Sequence, residues 1–218
     1  MFISSCTLIQ DMFIAGTDTT SATLEWVMTE LALHPRVLKK AQEEMRQIAG
    51  NKGKVEENDI HQFRYIRSVI KETLRLHPPL PLLVPRESME DCVVNGFDIP
   101  AKTRVFVNIY AIGRDPEIWQ QPLEFNPERF EGTETDVKGQ DFELLPFGGG
   151  RRGCPGNSFA MATVETALAR LLYHFDWKLQ DGVDAGDVDM SEVFGLTTKK
   201  RTPLILVATR NQEFGFKA

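Results

Sequence analysis

Apolar residues recur at helical spacing over three long segments of the chain, which predicts three long helices. The first segment covers residues 8–33. The second covers residues 35–49, because Pro35 suits a first helical turn and Gly50 with Asn51 ends the pattern. The third covers residues 156–174 and follows a run rich in glycine.

A fourth helix is predicted before two consecutive prolines, Pro78 and Pro79, which terminate helices. This helix carries Glu72, and we expect Asn58 or Asp59 to cap its first turn. Its apolar face contains four residues at helical spacing: Ile66, Val69, Ile70 and Leu74.

The remaining patterns predict short strands and one long irregular segment. In residues 92–99, Asn95-Gly96 separates two apolar runs, which is the signal of a hairpin with a two-residue turn. Residues 103–109 and 203–208 are predicted as further strands. Residues 114–146, the meander, are rich in proline, glycine and acidic side chains and are expected to be irregular. The predicted fold class is therefore mainly α with small β-sheets (α+β), in one domain.

Composition narrows the classes of function. The 218-residue chain has a net charge of −6 and a pI near 5.3, so no nucleic-acid partner is expected. No run of about eighteen apolar residues is present, so no membrane span is predicted. Three widely spaced cysteines without C-x-x-C spacing support neither a zinc site nor a disulfide framework, and favour a reducing, cytosol-facing setting: Cys6, Cys92 and Cys154. The histidines also lack ligand spacing and are interpreted as structural or exposed: His34, His61, His77 and His174.

The most informative stretch is residues 147–156, the cysteine loop, where glycines surround Cys154 just before a predicted helix. Unpaired N–H groups at a helix start favour an anion, and Arg151 and Arg152 add positive charge nearby. The stretch also fits G-x-G-x-x-G, but a proline interrupts the short apolar run before it, which argues against a dinucleotide site. From the loop alone, a structural turn and a functional thiol remain equal alternatives.

Two other polar features have ordinary explanations when each is taken alone. Residues 16–20 combine a glycine, three threonines and Asp18, all of which weaken a helix, and such a run is usually a solvated face. Because its flanks are apolar, we expect the run to be buried and to open a small polar groove, helped by hydroxyls that bond to carbonyls one turn back. Glu72 and Arg75 share one helix face, which is typical of an exposed ion pair.

Together these features resemble the cytochrome P450 superfamily. The cysteine loop matches the haem-binding signature F-x-x-G-x-R-x-C-x-G at five positions: Phe147, Gly150, Arg152, Cys154 and Gly156. The resemblance implies that Cys154 is the axial thiolate ligand of the iron of haem b, with Arg152 near a propionate and Phe147 beside the sulfur. A thiolate ligand donates electron density to the iron and favours O–O cleavage.

Two more motifs carry the same resemblance. Residues 15–20, Ala-Gly-Thr-Asp-Thr-Thr, look like the family's oxygen-activation motif, which implies that Asp18 and Thr19 are catalytic and deliver protons to dioxygen through ordered water. Glu72 and Arg75, together with Arg129 from the run at 127–130, resemble the family's structural triad. The implied role of these three residues is structural.

The resemblance also implies a substrate pocket and redox partners. Four residues would contact a small apolar substrate, although their pattern alone is more typical of core packing: Ala15, Leu83, Val84 and Leu196. Arg86 would lie on a haem propionate. With O2 as co-substrate, electrons would come from NADPH through a reductase that docks on cations such as Arg151, Arg152 and the basic run at 199–201.

As a whole, the chain resembles the C-terminal half of a plant microsomal haem-thiolate monooxygenase, so residues 1–218 are expected to be a partial domain. The N-terminal half and a membrane anchor would lie outside it, and that anchor would place the protein on the cytosolic face of the endoplasmic reticulum membrane. Two alternatives stay open: a relative that rearranges hydroperoxides, against which the intact motif at residues 15–20 argues, and a truncated product that binds haem weakly or not at all. We also expect that these 218 residues alone cannot hydroxylate a substrate.

Overall fold

The computed structural model describes residues 5–195 and 197–214. Helices dominate it, and the four longest lie where helical spacing predicts them: α1 (Ser5–Leu33), α2 (Pro35–Ala49), α4 (Tyr65–Leu76) and α6 (Asn157–His174). Two four-residue helices are α3 (Glu57–Ile60) and α5 (Ile109–Ile112). Short 3-10 turns lie at Gly50–Lys52, Pro127–Phe130, Gly150–Arg152 and Ala185–Asp187.

Within these described residues, the strands are short and pair into two-stranded antiparallel sheets. The pairs are β1 (Arg86–Glu87) with β4 (Arg104–Val105), β2 (Cys92–Val94) with β3 (Phe97–Ile99), β5 (Phe175–Leu179) with β8 (Leu206–Arg210), and β6 (Glu192–Val193) with β7 (Lys199–Lys200). The predicted α+β class is confirmed.

The core lies between the four long helices. Each helix contributes side chains that are fully excluded from water: Leu31 from α1, Met45 from α2, Ile70 from α4 and Leu168 from α6. Burial of each such side chain stabilises the fold by about 1.5–3 kcal/mol. The C-terminal half of α1 therefore packs as a core helix, whereas its N-terminal half is exposed.

The start of α4 differs from the prediction. Asp59 lies inside α3, where it forms a capping box with Glu56, so neither Asn58 nor Asp59 caps the helix that carries Glu72. Instead, the carboxylate of Glu44 on α2 accepts three successive backbone N–H groups: Arg64 at 2.8 Å, Tyr65 at 2.8 Å and Ile66 at 3.0 Å. The cap comes from a neighbouring helix, which a local sequence pattern does not reveal.

The predicted strands are confirmed in part. The hairpin of residues 92–99 forms as predicted, with positive φ at Asn95 (49°) and Gly96 (83°) as a type I′ turn requires. The strand predicted at 103–109 is wrong beyond Val105, because the Asn108 side chain accepts the N–H of Ala111 and starts α5. The last strand begins and ends later than the predicted range of 203–208, and pairs with β5 along its whole length.

Candidate functional site

The cysteine loop folds back on itself ahead of α6. The backbone N–H of Cys154 donates to the carbonyl of Phe147 at 2.8 Å, and that of Gly153 donates to Gly150 at 3.0 Å. Positive φ angles at Gly148 (67°) and Gly150 (64°) make this path possible. The Cys154 thiol is free and exposed, three residues before the first residue of α6. The loop thus presents a single sulfur at the surface beside a helix start.

Residues 137–139 of the meander pack against the cysteine loop and the start of α6. A Cβ on Gly139 would lie 2.6 Å from the carbonyl oxygen of Gly148, and one on Gly149 would lie 2.9 Å from that of Gly139. The side chain of Asn157 also donates to the carbonyl of Val137 at 3.0 Å. Two backbones therefore meet where side chains do not fit. The sequence analysis did not identify Gly139, because the pairing of Gly139 with the loop is a tertiary contact.

Leu83 and Arg86 reach the same loop from the segment that follows α4. A Cβ on Gly148 would lie 3.5 Å from Leu83 Cδ1 and 3.7 Å from Arg86 Nη2. Phe147 packs partly against the core, and Arg152 is exposed on the loop. Cations and an apolar side chain therefore surround the loop that carries the thiol.

The other residues predicted to contact substrate are either exposed or outside the described residues. Val84 is 67% exposed and Ala15 is exposed on α1. Leu196 lies outside the described residues. Among the predicted substrate residues that the structure describes, Leu83 lies beside Gly148 of the cysteine loop.

The polar run of α1 does not have the predicted environment. The helix is continuous through Gly16, and Asp18 is exposed, as are the apolar flanking residues Met12 (69%) and Phe13 (71%). Full burial of the run is therefore wrong for this chain, in which Thr17 is also exposed, whereas Gly16, Thr19 and Thr20 are half-buried. The Thr19 hydroxyl does donate to the carbonyl one turn back, that of Ala15, at 2.7 Å. This bond satisfies the hydroxyl within its own helix.

The structure brings Glu72, Arg75 and Arg129 together in the interior. Glu72 Oε2 accepts Arg75 Nε at 2.7 Å, and Glu72 Oε1 accepts Arg75 Nη2 at 2.8 Å and Arg129 Nε at 3.0 Å. The side chains of Glu72 and Arg75 are fully buried, so the exposed ion pair is the wrong interpretation. Arg75 also donates to backbone carbonyls of the 113–124 stretch, which fastens the meander to α4.

The three residues of the basic run at 199–201 differ in burial. Lys199 and Arg201 are exposed, whereas Lys200 is 5% exposed and donates to the carbonyl of Asp189. Lys200 is therefore not part of a solvated cationic surface. Burial lowers the pKa of its ammonium group.

The described residues contain no group of three or more His, Cys, Asp or Glu side chains arranged to hold a metal ion. In the same part of the chain, no helix is both long and apolar enough to cross a bilayer.

Comparison with known proteins gives one consistent result. The family model for cytochrome P450 matches residues 6–206. Tryptamine 5-hydroxylase from Oryza sativa subsp. japonica is 60% identical over 214 residues, which cover 96% of this chain and 41% of the relative. Phenylacetaldehyde oxime monooxygenase from Prunus mume is 56% identical over 204 residues, covering 93% of this chain and 39% of the relative.

Solved structures agree with the sequence relatives. A zebra fish cytochrome P450 determined with abiraterone superposes with a TM-score of 0.83 and 30% identity, covering 93% of this chain and 46% of that structure. The chain thus spans about two fifths of the length of the curated relatives that it matches.

Proposed function

Because the chain belongs to the cytochrome P450 family, we propose that it forms the thiolate-bearing part of a haem-dependent monooxygenase of plant metabolism. The observation that carries this proposal is the free, exposed thiol of Cys154 within a complete haem-binding signature. Relatives named hydroxylase, monooxygenase and oxygenase support the reaction type.

The residues around Cys154 fit a haem. A haem carries nitrogen ligands of its own and would take a further ligand from the protein, so the lone thiol of Cys154 would suffice to hold it, although the described residues offer no multi-ligand cluster. Arg86 and Arg152 would supply positive charge for the propionates, and Phe147 would supply an apolar neighbour. When bound, haem supplies the activation of dioxygen.

In this proposal the chain holds the sulfur in position and moves protons. The Cys154 N–H bond to Phe147 and the Gly139 contact fix the loop that carries Sγ. The monooxygenase reaction inserts one oxygen atom of O2 into the substrate and releases the other as water, with two electrons from NADPH and two protons. We assign delivery of these protons to Asp18 and Thr19, through ordered water.

The substrate class is a small, mainly apolar organic molecule. Relatives of similar identity are named for different substrates, tryptamine, an oxime and premnaspirodiene, so family membership does not select one. Leu83 at the cysteine loop is the best supported substrate contact, with Ala15, Val84 and Leu196 as further candidates. Electron supply by an NADPH-dependent reductase and a place on the endoplasmic reticulum membrane belong to the same proposal.

Cysteine variants test the proposal directly. In haem-loaded protein of monooxygenase length, the reduced carbon monoxide complex should show the red-shifted absorption of thiolate ligation, and Cys154→His should abolish that absorption. Cys92→Ser is the matched control, because Cys92 is the other described free, exposed cysteine and lies on β2. An unchanged spectrum in Cys154→His would assign the iron ligand elsewhere.

A further inference from the structure

His77 lies at the C-terminal end of α4, where three elements meet. Its Nε2 is 2.7 Å from Oε1 of Glu30 on α1, and its Nδ1 is 3.2 Å from Oε1 of Glu192 on β6. The imidazole stacks on the indole of Trp26, with ring centroids 3.8 Å apart and an interplanar angle of 2°. The side chain is 9% exposed, so these contacts form inside the protein.

In this geometry both ring nitrogens of His77 face a carboxylate oxygen, and an imidazolium can donate to both. A neutral imidazole has a single N–H, so one of its nitrogens would face a carboxylate oxygen lone pair to lone pair. The imidazolium donates to both carboxylates. It also balances their negative charge, which is needed because the side chain of Glu30 is only 5% exposed and that of Glu192 19% exposed. Burial of Glu30 acts to raise the pKa of its carboxyl group, but hydrogen bonds from His34 and His77 outweigh this effect and lower the pKa.

Other charged groups surround this cluster. The ammonium of Lys200 on β7 lies 4.8 Å from the centroid of the Trp26 ring. His34 contacts Glu30, Glu25 and Asp189 lie near Lys200, and Arg114 lies near Glu192. Positive and negative groups alternate, so loss of a single charge removes one charged partner from each of its neighbours.

The cluster joins the β6–β7 hairpin to the segment that reaches the cysteine loop. Besides the Glu192 contact, the N–H of Thr198 donates to the carbonyl of Pro79 at 2.8 Å. The chain then continues from Pro79 to Leu83 and Arg86, which lie against Gly148 of the cysteine loop. The segment 77–86 therefore contacts α1, the hairpin and the cysteine loop in turn.

We propose that His77 is a positioning residue: as an imidazolium between Glu30 and Glu192, it holds the β6–β7 hairpin in a fixed place relative to the cysteine loop. The turn of that hairpin carries Phe194, whose side chain is 74% exposed. Fixing the turn fixes this apolar surface and so sets the affinity for the apolar part of a substrate. This consequence rests on the proposed function.

The first experiment measures the hairpin itself and needs no haem. Hydrogen exchange of the β6–β7 amides should be at least about tenfold faster in Glu192→Gln and in His77→Gln than in the parent, since a charged hydrogen bond is lost. Amides of the β2–β3 hairpin should exchange at the parent rate in both variants. Glu90→Gln, at an exposed position between β1 and β2, is the control and should leave both hairpins unchanged. Equal exchange in the parent and in the two variants would overturn the role of His77 in holding the hairpin.

The second experiment asks whether the hairpin affects the apolar pocket. In haem-loaded protein, 4-phenylimidazole and imidazole bind through the same ring nitrogen, but only the first adds an apolar group. Glu192→Gln should raise the dissociation constant of 4-phenylimidazole about tenfold and leave that of imidazole unchanged. If the parent shows the thiolate spectrum but the two constants do not separate, the positioning role fails alone. If the parent lacks that spectrum, the proposed function fails.

Discussion

Glu72 is the buried charge on which the attachment of the meander to α4 depends. Its two oxygens accept two hydrogen bonds from Arg75, one from Arg129 and one from the backbone N–H of Asn126 at 2.8 Å. These bonds offset the cost of removing the carboxylate from water. Without it, two guanidinium groups would remain inside the protein with no counter-charge, and one of them, Arg75, is fully buried.

Replacement of this carboxylate should therefore be costly. We expect Glu72→Ala to lower the free energy of unfolding by about 3–5 kcal/mol, measured by urea denaturation. Glu43→Ala is the control, because its carboxylate is 59% exposed and lies 3.9 Å from Lys39. That change should cost less than about 1 kcal/mol. Equal losses in the two variants would mean that the buried cluster stabilises the fold no more than the exposed pair does.

The hydroxyl of Thr19 allows a test of proton delivery. The test uses haem-loaded protein coupled to a reductase. Thr19→Val should keep the thiolate spectrum but divert NADPH-derived electrons to peroxide, because the variant lacks the hydroxyl that would deliver protons. The measurement is the ratio of peroxide formed to NADPH consumed. Thr163→Val is the matched control, since its hydroxyl makes the same bond one turn back, to Phe159 at 2.8 Å. A parent-like ratio in Thr19→Val would remove this residue from the mechanism.

Among the elements, the cysteine loop depends on a close approach between two stretches of backbone. Gly139 has a φ of +82°, and its missing Cβ would lie 2.6 Å from the Gly148 carbonyl oxygen. Gly132 has a similar φ of +74° but nothing within 4 Å. The two glycines therefore share the same backbone constraint and differ in the space around them.

This pair gives a controlled prediction. Gly139→Ala should lower the free energy of unfolding by about 1–3 kcal/mol more than Gly132→Ala, because only the first forces the cysteine loop to move. Gly139→Ala should also reduce the fraction of protein that shows the thiolate spectrum, whereas Gly132→Ala should not. Urea denaturation and the reduced carbon monoxide spectrum measure the two effects. If both variants lose the same free energy of unfolding and the same fraction of thiolate spectrum, the positive φ angle rather than the close packing determines the effect.

The elements that local chemistry determines are the ones that the sequence predicts well. Pro35 and Gly50 mark α2, and Asn95-Gly96 specifies the hairpin turn, because each acts through its own backbone angles. The start of α4 could not be predicted, since Glu44 caps it from another helix. The site divides in the same way: signature residues such as Cys154 stand in one local motif, whereas Gly139 matters only through a tertiary contact.

At the scale of the whole molecule, a network of charges ties the meander to two helices. Glu128 accepts hydrogen bonds from Arg36 of α2 at 2.6 Å and from the Tyr65 hydroxyl of α4 at 3.0 Å. Lys40 of α2 reaches both Glu128, at 3.4 Å, and Glu131, at 2.9 Å. Glu72 in the interior and Glu128 nearer the surface thus both attach the meander to the helices.

The second attachment should depend on pH. Burial opposes ionisation of Glu128, but hydrogen bonds from Arg36 and Tyr65 outweigh it and hold the pKa at about 2, below the ordinary value of 4.5. A carboxyl group whose pKa is lower in the folded state stabilises the protein above its unfolded pKa, and this contribution is lost as pH falls through the folded pKa. The contribution of Glu128 should therefore be complete above pH 4.5 and decline from there towards pH 2.

Glu128→Gln tests this dependence, because the amide keeps the shape of the side chain but carries no charge at any pH. The parent should exceed the variant in free energy of unfolding by a constant amount between pH 5.5 and 7, and this difference should shrink steadily as pH falls from about 4.5 towards 3. Urea denaturation at a series of pH values measures it. Glu43→Gln, at an exposed position, should track the parent throughout. A difference that stays constant down to pH 3 would mean that Glu128 holds the meander by its shape and hydrogen bonds alone, whereas a shrinking one assigns the attachment to its charge.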